Sequence, residues 1–111
     1  MKCYLLFTLM VMSGFANAGW TTSKIDRILF FEDANLIYVY PKGGIKNPPA
    51  CHGSNGNYTS FSMSRPMANE YLSGLMAAML ANKTVVLRTH GDCVDQSNSD
   101  TLMYFSIVNQ A

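Results

Sequence analysis

Residues 58–88, YTSFSMSRPMANEYLSGLMAAMLANKTVVLR, read as strand, helix, strand, and the remaining segments arrange themselves around them. Tyr58 to Met63 alternates Tyr58, Ser60 and Ser62 against Thr59, Phe61 and Met63, the two-residue period of a half-buried strand. Ser64 offers a helix N-cap, and Pro66 suits the first helical turn. From Met67 the apolar residues recur at helical spacing. Met67, Tyr71, Leu75 and Met79 form one row, and Ala68, Leu72, Met76 and Leu80 lie beside it. Asn69, Glu70, Ser73, Ala77 and Ala81 fall on the opposite face, so the spacing predicts an amphipathic helix of about four turns with a wide buried stripe. Asn82 closes it, and Thr84 to Arg88, rich in Val and Leu, follows as a strand.

Upstream, Ile25 to Phe31 and Leu36 to Tyr40 are two strand-like runs separated by the turn-forming Glu32-Asp33-Ala34-Asn35, which reads as a hairpin. Pro41 ends the second run because it has no N–H for a ladder. Residues 41–57, PKGGIKNPPACHGSNGN, form a long Gly/Pro/Asn loop. Downstream, residues 89–100, THGDCVDQSNSD, make a polar loop before a last strand, Leu102 to Val108. Three strands, a helix and two strands match a mostly β, α+β fold: a five-stranded OB-like barrel with one helix between strands 3 and 4. A generic α+β sandwich is the competing arrangement, since one sequence does not reveal strand pairing.

The first eighteen residues read as a cleaved secretory signal peptide. Met1-Lys2 gives a charged start, Cys3 to Met12 a short apolar core, and Ala16-Asn17-Ala18 a small-residue exit. The core is about half the roughly 20 residues that a spanning helix needs. Residues 19–111 then form one OB-like domain, secreted or periplasmic. Of 8 Lys+Arg against 7 Asp+Glu, removing Lys2 leaves 7 against 7. With no basic tract there is no electrostatic footprint for nucleic acid. Nothing after Ala18 is long and apolar enough to span a bilayer.

Of three cysteines, Cys3 departs with the leader, and the remaining pair in an exported domain reads as a Cys51–Cys93 disulfide. A histidine accompanies each: Cys51-His52 and His90-Gly91-Asp92-Cys93. A Cys2His2 zinc site is the alternative, but the spacings are not those of a finger, so no metal and no cofactor are expected. The bridge would draw His52 and His90 to one end of the domain, lining a polar patch with Asp92 and Asp95; the other outcome is two solvated loop histidines. No serine sits in a G-x-S-x-G elbow and no phosphate-cradling Gly-rich loop follows a strand, so the chain is not expected to be an enzyme. Trp20, Tyr40 and Tyr58 are the candidates for exposed stacking surface, with Asn57 among the loop's amide side chains. Trp20 plugging the bottom of the barrel is the alternative for that residue. Trp20, Tyr40, His52, Asn57, Tyr58 and His90 are therefore the candidate ligand-binding residues.

Taken together, Gly19-Trp20, the paired early strands, Asn47-Pro48-Pro49-Ala50-Cys51, the helix and Gly91-Asp92-Cys93 resemble a group of small exported bacterial OB-fold proteins, similar to the B subunits of subtilase-type AB5 cytotoxins. The resemblance implies a non-catalytic binding module for cell-surface glycans, assembled as a pentamer. A periplasmic protein-interaction or inhibitor domain, using a strand edge or the 41–57 loop, is the alternative function.

Overall fold

The computed structural model describes residues 19–53 and 56–109; the expected signal peptide lies outside the described residues. Six strands and one helix follow in the order β1 (Trp20–Ser23), β2 (Ile25–Phe31), β3 (Leu36–Pro41), β4 (Thr59–Ser62), α1 (Ala68–Leu80), β5 (Thr84–Thr89) and β6 (Leu102–Val108). They build two antiparallel three-stranded sheets, ordered β1-β5-β6 and β2-β3-β4. The expected hairpin is β2–β3, turned by a single 3-10 turn at Glu32–Ala34 and by Asn35 in the left-handed region, φ 55°.

The five-stranded closed barrel does not form; the molecule is an α+β fold of two open sheets. Closure would require a continuous ladder between β4 and β6. Instead one parallel bridge, Ser60 to Thr101, joins them. β4 is only four residues long, and it meets the residue just ahead of β6 rather than β6 itself. The Ser60 N–H and the Thr59 hydroxyl both donate to the Asp100 carbonyl at 3.0 Å. The sixth strand is β1, separated from β2 by Lys24 alone, so the chain enters the first sheet and crosses at once into the second.

Strand alternation sends Ile37 and Val39 of β3, Phe61 of β4, and Val85 and Leu87 of β5 inward, where they meet Leu75 of α1. Ala68, Leu75 and Ala78 are the buried residues of α1, while Tyr71, Leu72 and Met79 pack partly against the core. Met67, Met76 and Leu80, expected in the buried stripe, are exposed. The helix turns a narrower face inward than its sequence offers. It approaches β6 closely at Gly74, where a Cβ would lie 3.0 Å from the Phe105 ring.

The helix also starts differently. Ser64 is not the cap: its hydroxyl pairs with that of Ser62 at 2.6 Å, and Met67, at φ 63°, occupies the cap position with no side-chain bond. The other end behaves as Asn82 predicts. Asn82 sits at φ 56°, its N–H reaches the Met79 carbonyl at 3.1 Å, and the Lys83 N–H reaches that of Ala78 at 2.8 Å. Together these are the paired bonds of a Schellman motif.

Candidate functional site

Strand register creates an exposed aromatic group on the first sheet. Trp20 of β1 pairs with Arg88 of β5, and Arg88 with Tyr104 of β6, so all three side chains share one face of the sheet. The Arg88 guanidinium carbon lies 4.1 Å above the Trp20 ring centre, and the Tyr104 ring meets Trp20 edge-on at 6.0 Å. Trp20 is 52% exposed and Tyr104 42% exposed. Trp20 therefore faces outward and does not plug the core.

The second sheet carries a tighter cluster on its outer face. Tyr38 and Tyr58 stack at 4.6 Å, Tyr40 tilts against Tyr58 at 5.1 Å, and Arg27 covers Tyr40 at 4.0 Å. The His52 ring lies 5.4 Å from Tyr58. Tyr58 is only 5% exposed, and burial, with Tyr38 and Tyr40 beside it, raises its hydroxyl above the usual tyrosine pKa. Its ring is packing. The expectation that it offers a free stacking surface is corrected by this burial, with Tyr38, Tyr40 and His52 packed around it. Asn57 is exposed, and its carbonyl accepts the Ile45 N–H at 3.1 Å.

Beside that cluster the two long loops meet. The Cys51–Cys93 disulfide forms, and the Gly53 N–H bonds the Asn98 carbonyl at 2.7 Å. His52 Nδ1 accepts the Asp100 N–H at 3.0 Å, and its Nε2 lies 2.7 Å from the Gly56 carbonyl. That pairing places the ring proton on Nε2 and occupies both nitrogens. Asp100 is fully buried. Its Oδ1 accepts the Gly91 N–H at 3.0 Å, while Oδ2 has no hydrogen-bond partner among the described residues. Burial raises its carboxyl above the ordinary value, although the Thr89 hydroxyl and the Gly91 and Asp92 main-chain N–H groups pull the other way.

The disulfide thus gathers the two histidine-bearing segments, but without building the expected patch. The His90 main chain donates to the Thr101 carbonyl at 2.9 Å, next to the residue whose N–H His52 accepts. Asp95 turns away from both, accepting the Ser62 N–H at 2.8 Å and pairing with Arg65 at 3.4 Å. Arg65 also reaches the Leu102 carbonyl and, at 3.3 Å, the Met103 carbonyl, tying the helix entry to β6. Among the described residues no group of three His, Cys, Asp or Glu side chains could hold a metal ion. No helix among them is long and apolar enough to cross a membrane.

A shallow apolar groove of about 100 Å³ lies elsewhere, at the turn end of the β2–β3 hairpin, lined by Phe30, Phe31, Leu36, Ile37 and Met63 with Glu32 and Asn35. Of the candidate residues, the fold brings Tyr40, His52 and Tyr58 into one cluster with Asn57 at its margin. It places Trp20 on the other sheet and His90 at the end of β5. Arg27, Arg88 and Tyr104 escaped sequence reasoning. Each acquires its partner from the register of paired strands, so only a correct strand pairing would have found them.

Fold and site together define a small disulfide-bonded α+β domain with an exposed Trp–Arg–Tyr face. No protein-family model, curated protein or solved structure matches the chain. The disulfide itself suits an oxidising, extracellular compartment.

Proposed function

We propose that the chain is an exported, non-catalytic binding module for carbohydrate, secreted or periplasmic, with Trp20, Arg88 and Tyr104 as its contact face. One observation carries the proposal: the Trp20 and Tyr104 rings are exposed side by side on a rigid sheet, with a guanidinium between their strands. Flat aromatic rings offer apolar area to the C–H faces of a sugar at low conformational cost, and Arg88 adds fixed donors for hydroxyl or acid groups. Sites on strands hold such groups more exactly in place than sites on loops. The likeness of Gly19-Trp20 and the Asn47–Cys51 segment to toxin B subunits supports the same ligand class. It also makes a pentamer the assembly to look for by light scattering.

Trp20 is the sole tryptophan of the chain, so its emission reports on this face directly. Titrating the oxidised protein with a panel of neutral and acidic oligosaccharides should shift that emission saturably, and Tyr104→Ala or Arg88→Gln should abolish the shift. A silent Trp20 across the panel, with no binding by calorimetry, overturns the proposal and favours the protein-interaction alternative.

A further inference from the structure

A formal net charge of only +1 conceals a segregation of charge that the fold produces. Three segments, 19–25, 36–53 and 84–91, contain no Asp or Glu, yet carry Lys24, Lys42, Lys46 and Arg88 as well as both histidines. The topology sets these segments side by side. β1 pairs with β5 through Trp20 and Arg88. On its other side β1 is held to the loop after β3: the Lys42 N–H bonds the Lys24 carbonyl at 2.9 Å, and the Ser23 hydroxyl bonds the Lys42 carbonyl at 2.9 Å. The Lys46 N–H donates to the Thr21 hydroxyl at 3.1 Å, and the Lys46 carbonyl would lie 3.1 Å from a Cβ on Gly19. Lys42 and Lys46 are exposed, and the one ion pair among the described residues, Arg65–Asp95, involves none of these cations. The carboxylates lie elsewhere: Glu32 and Asp33 at the hairpin turn, Glu70 on the helix, and Asp92, Asp95 and Asp100 in the loop before β6. Asp26, beside Lys24, is the nearest in sequence.

Unopposed cations along one strand raise the local potential and draw a polyanion more than any single charge does. The same strand starts at the exposed Trp20. From this juxtaposition we infer that the β1 edge, with Lys24, Lys42 and Lys46 along it and Arg88 over Trp20 at its start, binds a polyanionic polysaccharide laid along β1. A polysaccharide fits better than a nucleic acid because the disulfide marks an oxidising compartment, and because one face of the Trp20 ring is already occupied by Arg88. The inference deepens the carbohydrate proposal by naming the class of sugar chain, and it rests on that proposal for the role of Trp20.

The test is calorimetry and Trp20 fluorescence on the oxidised protein with heparin as the probe, against dextran, anionic phospholipid vesicles and duplex DNA. Heparin should bind and dextran should not, with affinity falling as salt rises. Lys42→Gln and Lys46→Gln, both at exposed positions, should each weaken heparin binding about two- to fivefold, the range for exposed charge contacts. Their circular dichroism should match that of the parent protein. Absence of heparin binding at low salt, wild-type affinity in the double lysine variant, or equally tight binding to vesicles or DNA each overturns the inference. Binding of a neutral glycan at Trp20 that ignores the lysines overturns this inference alone and leaves the carbohydrate proposal standing. Lysine-dependent heparin binding with a silent Trp20 leaves the cationic surface standing and removes Trp20 from it.

Discussion

Replacing Cys51 and Cys93 together by serine severs a link that spans 42 positions. On the chain-entropy account a closed loop of that length restrains the unfolded ensemble by about 4 kcal/mol. A domain of this size has a total stability on the order of 5–14 kcal/mol. The double variant is therefore expected to lose about a quarter or more of its stability while keeping its fold. The folded contacts between the two loops do not depend on the sulfurs: the Gly53–Asn98 bond and the His52–Asp100 bond hold the same segments together. The change should then lie in the unfolded chain, which expands and exposes more surface. Urea unfolding followed by Trp20 emission and far-ultraviolet circular dichroism reads both quantities. The free energy in water should fall by about 3–4 kcal/mol and the denaturant slope should rise. A loss under about 1 kcal/mol with an unchanged slope would refute the reasoning, because it would mean the open chain is already held compact without the bridge.

Other outcomes follow from single residues. Gly44 lies at φ 80° with the Asn57 Cβ crowding the place a side chain would take, so Gly44→Ala should cost about 2 kcal/mol, measurable as a lower urea midpoint. Asp100 has a raised carboxyl pKa in the folded state, so folding favours its protonated form. Its contribution is fully present below the ordinary carboxylate range and is lost as pH rises through the raised value. Asp100→Asn should flatten that part of the stability–pH profile above pH ~4, and an unchanged slope would assign the dependence to other groups. Trp20→Ala removes an exposed ring whose main partner is Arg88, so it should cost under about 1 kcal/mol. A thermal scan of that variant shows whether a loss of ligand binding can be read as a loss of contact.

Local patterns carried much of the fold. The helix over Ala68–Leu80, its Asn82 stop, the β2–β3 hairpin and the strands on either side of the helix all follow from periodicity and turn residues that lie within a few positions of one another. The failures share the opposite character. Trp20–Ser23 has no apolar alternation and becomes a strand only because β5 offers it an edge. Element order cannot say whether the last gap in a barrel closes, and here β4 crosses it only at the Ser60–Thr101 bridge. Ser64 has the chemistry of a cap, but the Ser62 hydroxyl two residues away competes for it. At the candidate site the aromatic types were legible and their surroundings were not. Tyr58 is buried, and Arg27 and Arg88 meet their rings across strands, so exposure and partners both came from tertiary placement.

The meeting of β1 with β5 has a consequence for how the molecule assembles. The β2-β3-β4 sheet uses a contiguous stretch of chain, and β5 pairs with β6 nearby in sequence, whereas Gly19 reaches Thr89 across 70 positions. Loop-closure entropy therefore delays β1, a strand of four residues, until the rest has formed. Pulse-labelled hydrogen exchange should find the β1-facing amides of β5 among the last to be protected. During that interval β5 is an uncovered edge, open to a strand from any neighbouring chain. The short first strand thus covers one edge that would otherwise stand open to the molecule's own copies. Whatever slows its docking, such as bulk at Gly19 where a Cβ would sit 2.9 Å from the Thr89 hydroxyl, should appear as aggregation during refolding before it appears as lost stability.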